Sequence, residues 1–75
     1  MQEKFQSVAM MALRTWLTHQ GIVARDFAEM IGVSENMVLR YRAGRYRPRD
    51  EVRLVIERVT NGAVRPGDWS VRYEG

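Results

Sequence analysis

Apolar residues recur along the first part of the chain at steps of three and four. Phe5, Val8, Ala9, Ala12, Leu13, Trp16 and Leu17 fall on one stripe, which predicts a first helix that Gly21 can terminate. After Ile22 and Val23, a short second helix is expected from about Ala24 to Ile31, with Phe27, Ala28 and Ile31 inward and Arg25, Asp26 and Glu29 outward. Gly32 supplies a left-handed backbone at little steric cost, and Ser34 is a good N-cap, so a third helix should start near Glu35. It should run to about Ala43 and stop at Gly44, with Val38 and Tyr41 facing inward beside Val33. Its opposite side then shows Glu35, Asn36, Met37, Leu39 and Arg40.

Pro48 holds Arg47 extended and suits a first helical turn, and Asp50 and Glu51 favour the positive end of a fourth helix. The inner stripe of that helix is Val52, Val55, Ile56 and Val59; it should reach Thr60 and close at Asn61 and Gly62. Beyond the turn-prone "RPGD", Trp69, Val71 and Tyr73 alternate with Ser70, Arg72 and Glu74 in strand periodicity. The expected fold is therefore all-α, a compact bundle of four to five helices with a short extended C-terminal tail. Residues 1–62 should form one domain and residues 63–75 the tail. Neither an internal repeat nor a low-complexity linker interrupts this pattern.

A chain of 75 residues has room for one small domain, marginally stable unless its helices pack efficiently or a second copy adds burial. With no cysteine and a single histidine, His19, neither a disulfide framework nor a good zinc site can be assembled, and no metal or cofactor is expected. His19 is read as a capping or surface imidazole. The longest nearly apolar run, Val8 to Leu13, is too short to span a bilayer, and the amino terminus lacks the pattern of a secretory signal. A cytoplasmic location is expected. Ser7, Ser34 and Ser70 share one histidine, and there is neither a phosphate-cradling glycine loop with its lysine nor a carboxylate pair with an obvious pocket. The chain is not expected to be an enzyme, nor to bind a small molecule.

Charge matters more in its placement than in its total of +3. All but one of the basic residues are arginine, the exception being Lys4, and Arg40, Arg42, Arg45, Arg47 and Arg49 cluster in a stretch that no acid interrupts from Asn36 to Arg49. A patch of this density suits an anionic partner, although a solvated basic loop is the plainer alternative. Arginine makes paired hydrogen bonds to phosphate or to the acceptor edge of guanine, which the point-like ammonium of lysine does less well. Two short helices joined by a tight glycine turn, the second exposing polar side chains at its start, form a unit that presents a helix to the major groove of DNA.

Phe27, Ala28, Gly32, Val33, Val38 and Tyr41, followed by Gly44 and Pro48, resemble the helix-turn-helix of the lambdoid phage Cro and repressor proteins and of the broader Xre-type regulators. The motif would occupy about residues 24–43, within a likeness extending over about residues 8–62. The segment "IERVTNGAVRPGDW" is similar to the close of small Cro-like proteins of the YdaS type. The resemblance implies a lambda-repressor-like bundle that binds a double-stranded DNA operator, usually as a homodimer, and regulates transcription, with helix three as recognition helix.

Carried over by residue, it assigns base contacts to Glu35, Asn36, Met37 and Arg40: a bidentate Arg40 to guanine, Asn36 to adenine, and Met37 to a thymine methyl. Glu35 either accepts from the cytosine amino group or repels phosphates and rejects wrong sequences. Arg25, Ser34, Arg42, Arg45, Tyr46, Arg47 and Arg49 would lie by the phosphate backbone. At Ala24 the chain departs from many relatives, where a glutamine opens helix two and touches phosphate; either Arg25 replaces that contact or it is absent. Val55, Val59, Trp69, Val71 and Tyr73 are the expected dimerisation residues, with Val71 and Tyr73 either folding back on helix one or pairing with the second subunit. The main rival is a protein-interaction module or antitoxin-type regulator that uses the same helix-three face for a protein partner. RNA binding finds no stacking motif in its support.

Overall fold

The computed structural model describes residues 6–72. Four α-helices, α1 (Val8–Gln20), α2 (Ala24–Ile31), α3 (Glu35–Ala43) and α4 (Asp50–Val59), precede a short 3-10 helix, Pro66–Ser70. Helix α1 begins at Ser7, whose buried Oγ accepts from the Met10 amide at 3.1 Å, and Phe5 of the expected stripe lies outside the described residues. Such a cap satisfies an amide that the helix itself cannot, and typically contributes about 1 kcal/mol. Helix α4 opens with Asp50 and Glu51 in its first turn, where their charge meets the positive end of the helix dipole. Pro48 is not in that turn as expected; it precedes the N-cap Arg49 and is fully buried, and the Arg53 side chain donates from Nε to its carbonyl at 2.6 Å.

The core draws on every element. Ala9, Leu13 and Leu17 come from α1, Ala24, Phe27, Ala28 and Ile31 from α2, Val38 and Tyr41 from α3, and Ile56 from α4. Burying each large side chain of this set removes enough apolar surface to contribute about 1.5 to 3 kcal/mol. Helix α2 packs on α3 and α4, while α1 packs on α3 and on the 3-10 helix. Trp16 tilts against Phe27, with ring centroids 5.8 Å apart.

The segment after Gly62 is a structural part of this domain and not a separable tail. Val64 and Trp69 are 0% and 1% exposed and belong to the same core cluster. Thr60 makes the connection: its buried hydroxyl donates to the Ile56 carbonyl at 2.8 Å and accepts from the Val64 amide at 3.2 Å. Asn61 and Gly62 both take positive φ, 54° and 85°, reversing the chain so that it runs back under α1. The strand expected from the alternation of residues 69–73 is therefore corrected. Pro66 and Asp68 favour a turn, Asp68 Oδ2 accepting from the Arg65 amide, and Trp69 enters the core from the 3-10 helix. Only the end of the segment is extended: Ser7 and Arg72 form an isolated antiparallel bridge, and the Val8 amide donates to the Val71 carbonyl at 2.7 Å. Of the two courses left open for Val71, its backbone takes the fold back on α1, while its side chain stays about half exposed. Tyr73 lies outside the described residues.

Candidate nucleic-acid interface

The turn between α2 and α3 consists of Gly32, Val33 and Ser34. Gly32 sits at φ 76°, and the Val33 amide donates to the Ala28 carbonyl at 3.0 Å, so the chain leaves α2 in a left-handed step that a side chain would resist. Val33 is half-buried against the core. Ser34 Oγ accepts from the Met37 amide at 3.2 Å and starts α3. The hydroxyl expected beside a phosphate thus serves first as a cap, which leaves its own O–H free to donate outward.

Helix α3 divides by its anchors. Val38 and Tyr41 are 0% and 2% exposed, and the rotation they impose leaves Glu35, Asn36, Leu39 and Arg40 exposed. Met37 departs from the expected outer set. One turn before Tyr41, it is half-buried and packs against the core, so its side chain belongs to the flank of the helix. On that flank lies a cleft of about 380 Å³, bordered by Val33, Ser34, Met37, Tyr41, Tyr46, Arg49 and Val52.

The loop from α3 to α4 forms the cleft's outer wall. The Arg45 amide donates to the Arg40 carbonyl at 3.0 Å, continuing the helix end, and buried Pro48 fastens the far side. Between these anchors Arg45, Tyr46, Arg47 and Arg49 are exposed. The Tyr46 ring stacks on Tyr41 at a 6.2 Å centroid distance and 19° between planes, which holds it against the helix. Burial pushes the Tyr41 phenol above its ordinary pKa of 10.0 and Tyr46 adds to the rise, while the Arg49 guanidinium opposes it. Tyr41 is accordingly a neutral hydroxyl, able to donate to an anion, at physiological pH.

Arg25 is exposed in the first turn of α2. Arg42 lies on the other flank of α3, half-buried, and borders a second cleft with Leu39, Ala43 and Arg14 of α1. Arg14 stands outside the expected set, since no local pattern could say that α1 would pack beside α3. Among the described residues, no acidic side chain is paired with Arg14, Arg25, Arg40, Arg42, Arg45 or Arg49.

The residues expected to join two copies are separated by the fold. Trp69 is enclosed in its own chain's core and is not available to a partner, which corrects that assignment; Val55 and Val59 are half-buried against the same core, and Val71 is exposed. The exposed apolar residue of α4 is Leu54, 54% exposed, on one ridge with Glu51 and Arg58. Among the described residues no group of His, Cys, Asp or Glu could hold a metal ion, and no helix is long and apolar enough to cross a membrane. No protein-family model, characterised protein or solved structure matches the chain.

Proposed function

We propose that this protein is a sequence-specific regulator of transcription that binds double-stranded DNA by inserting α3 into the major groove. One observation carries the reading: the exposed polar side of α3 carries Arg40 and has Arg42, Arg45 and Arg49 nearby in the chain, and among the described residues no acidic side chain is paired with any of these four. Unpaired guanidinium groups around a protruding helix suit a duplex, whose phosphates flank a groove wide enough to admit that helix. Glu35, Asn36 and Arg40 would meet base edges, with Arg40 reading a guanine through its two-pronged donor set. Arg25, Arg42, Arg45, Tyr46, Arg47 and Arg49 would lie along phosphates and set register. Met37, being half-buried, would contribute at most the edge of its thioether to a thymine methyl.

A single nine-residue helix reads only a few base pairs. Two copies on half-sites about 34 Å apart would extend both affinity and specificity, so the regulator would act as a homodimer on a roughly palindromic operator and exclude polymerase from it. Its setting would be the cytoplasm, where the operator is accessible. Selection from random oligonucleotides followed by salt titration tests the reading. A symmetric motif bound with steeply salt-dependent affinity is expected; failure to enrich any motif, with capture of a protein partner through the α3 face, would replace DNA with a protein ligand.

A further inference from the structure

The two flanks of α3 are both cationic, but they are built differently. On one side the loop after α3 brings Tyr46 and Arg49 to the cleft, with Arg45 exposed in the same loop, and this wall is continuous with the basic run in the sequence. On the other side the wall is made by two helices: Arg14 from the middle of α1 and Arg42 from the last turn of α3, with Leu39 and Ala43 between them, bordering a cleft of about 340 Å³. Arg42 Nε is buried there with no hydrogen-bond partner among the described residues. A buried charged donor without an acceptor is costly, and two like charges beside one cleft add to that cost, so an anion seated there would relieve both. Arg14 is exposed and Arg42 half-buried, an arrangement in which one arginine is placed by packing and the other can swing toward a ligand.

We infer that Arg14 and Arg42 form a second phosphate-binding wall, so that α1 belongs to the DNA footprint and α3 is gripped from both sides of the groove. The inference rests on the DNA-binding reading and deepens it. A helix lying in the major groove has one sugar-phosphate strand on each flank. The loop wall would hold one strand, and the α1 wall the opposite one. Leu39, 43% exposed beside Arg14 and Arg42, would face the sugars or a thymine methyl at the groove's edge.

Arg14 makes the decisive variant because it is exposed and its loss leaves the core intact. With the selected operator duplex, Arg14→Gln and Arg45→Gln should each lower the slope of log affinity against log salt by about 0.9, and the double variant by about 1.8. Melting curves should leave Arg14→Gln as stable as the parent. Neutral methylphosphonate groups, placed one at a time along each strand, then separate the walls: Arg14→Gln should become insensitive to a substitution on one strand, Arg45→Gln to a substitution on the other. A parental slope for Arg14→Gln, with a reduced slope for Arg45→Gln, would remove the second wall and leave the DNA reading standing. Insensitivity of both variants at the same strand would likewise overturn the two-sided grip. If the parent protein bound no duplex with salt-dependent affinity, the DNA reading itself would fall.

Discussion

Trp69 meets Tyr41 edge to face, with ring centroids 6.0 Å apart and planes at 63°, and Tyr41 in turn stacks on Tyr46. The contact joins the last segment of the chain to the helix proposed to read DNA. The Tyr41 ring stacks against Tyr46 of the 45–49 loop and makes an edge-to-face contact with Trp69 in the segment that follows α4. The position of the loop's arginines is thus coupled through packing to a residue twenty or more positions away.

Truncation after Gly62 is therefore expected to unfold the domain, since it removes Val64 and Trp69 from the core. Replacing Trp69 alone distinguishes packing from hydrogen bonding. Its indole Nε1 is buried without a partner among the described residues, so Trp69→Phe removes an unsatisfied donor while keeping a ring against Tyr41. Trp69→Ala should cost about 3 to 5 kcal/mol in urea unfolding, and Trp69→Phe distinctly less. Equal losses would mean that the part of the indole that phenylalanine lacks, and not a ring against Tyr41, holds the segment.

Thr60 should be sensitive for a different reason. Thr60→Val keeps the volume but leaves the buried Val64 amide without the hydroxyl that accepts from it at 3.2 Å. A loss of about 1 to 3 kcal/mol is expected in thermal or urea unfolding, with no change in the charges around α3. A neutral outcome would show that the Val64 amide finds another acceptor.

The burial of Tyr41 sets a pH dependence. Its phenol ionises at higher pH in the folded chain than the ordinary 10.0. Its contribution to stability is therefore complete below pH 10. It is lost as pH rises through the folded-state value, because the unfolded chain releases the proton first. The steepest slope this one group can impose is about 1.4 kcal/mol per pH unit. Tyr41→Phe has no proton to lose, so its alkaline unfolding profile should be flatter than the parent's above pH 10. Parallel profiles would assign the alkaline transition to other groups.

The bounds of α2 and α3 were legible because their signals are local. Gly32 and Gly44 must take left-handed backbone, Ser34 must cap, and Phe27, Ala28, Val38 and Tyr41 carry the period that turns each helix inward. The exposure of Glu35, Asn36 and Arg40 follows directly from that period. Met37 was misplaced because it lies at the border of the apolar side, where burial depends on what the neighbouring loop brings up, here Tyr46 and Arg49. Trp69 was misread for a related reason. Three alternating residues after a Pro-Gly turn cannot distinguish a strand from a 3-10 helix, and only the packing of α1 and α4 creates the space that the indole fills. Arg14 was invisible beside Arg42 because sequence periodicity defines faces of helices and not which faces meet.

The proposed division between reading and anchoring makes opposite demands on two arginines. Arg40→Ala should relax preference at one base pair and cost about 1 to 3 kcal/mol on the cognate site, with little effect on random duplex. Arg45→Ala should weaken binding to every sequence alike and lower the salt slope by about one unit. Both residues are exposed, so neither change should alter melting. Equal losses on cognate and random duplex for both variants would reverse the assignment of roles.

Self-association should depend on the outer ridge of α4. Glu51, Leu54 and Arg58 are exposed there at spacings of three and four, with an acid at one end, an apolar residue between, and a base at the other. Two such ridges crossing antiparallel about a two-fold axis would bring Leu54 near its own copy and set each Glu51 against the partner's Arg58. Exposed ion pairs contribute roughly 0.2 to 1 kcal/mol each, and like charges oppose association by a similar amount. Counting the lost attraction and the new repulsion at both symmetry-related pairs, Glu51→Arg or Arg58→Glu alone should weaken the dimer by about 1 to 4 kcal/mol, at least roughly fivefold. The double exchange restores opposite charges across the axis and should recover most of that loss, whereas Leu54→Glu should not be rescued by it. Sedimentation equilibrium with and without operator duplex measures the parent and each of these variants. If the double exchange were as weak as the single ones, or the parent stayed monomeric even on its operator, the ridge would not be the contact between copies.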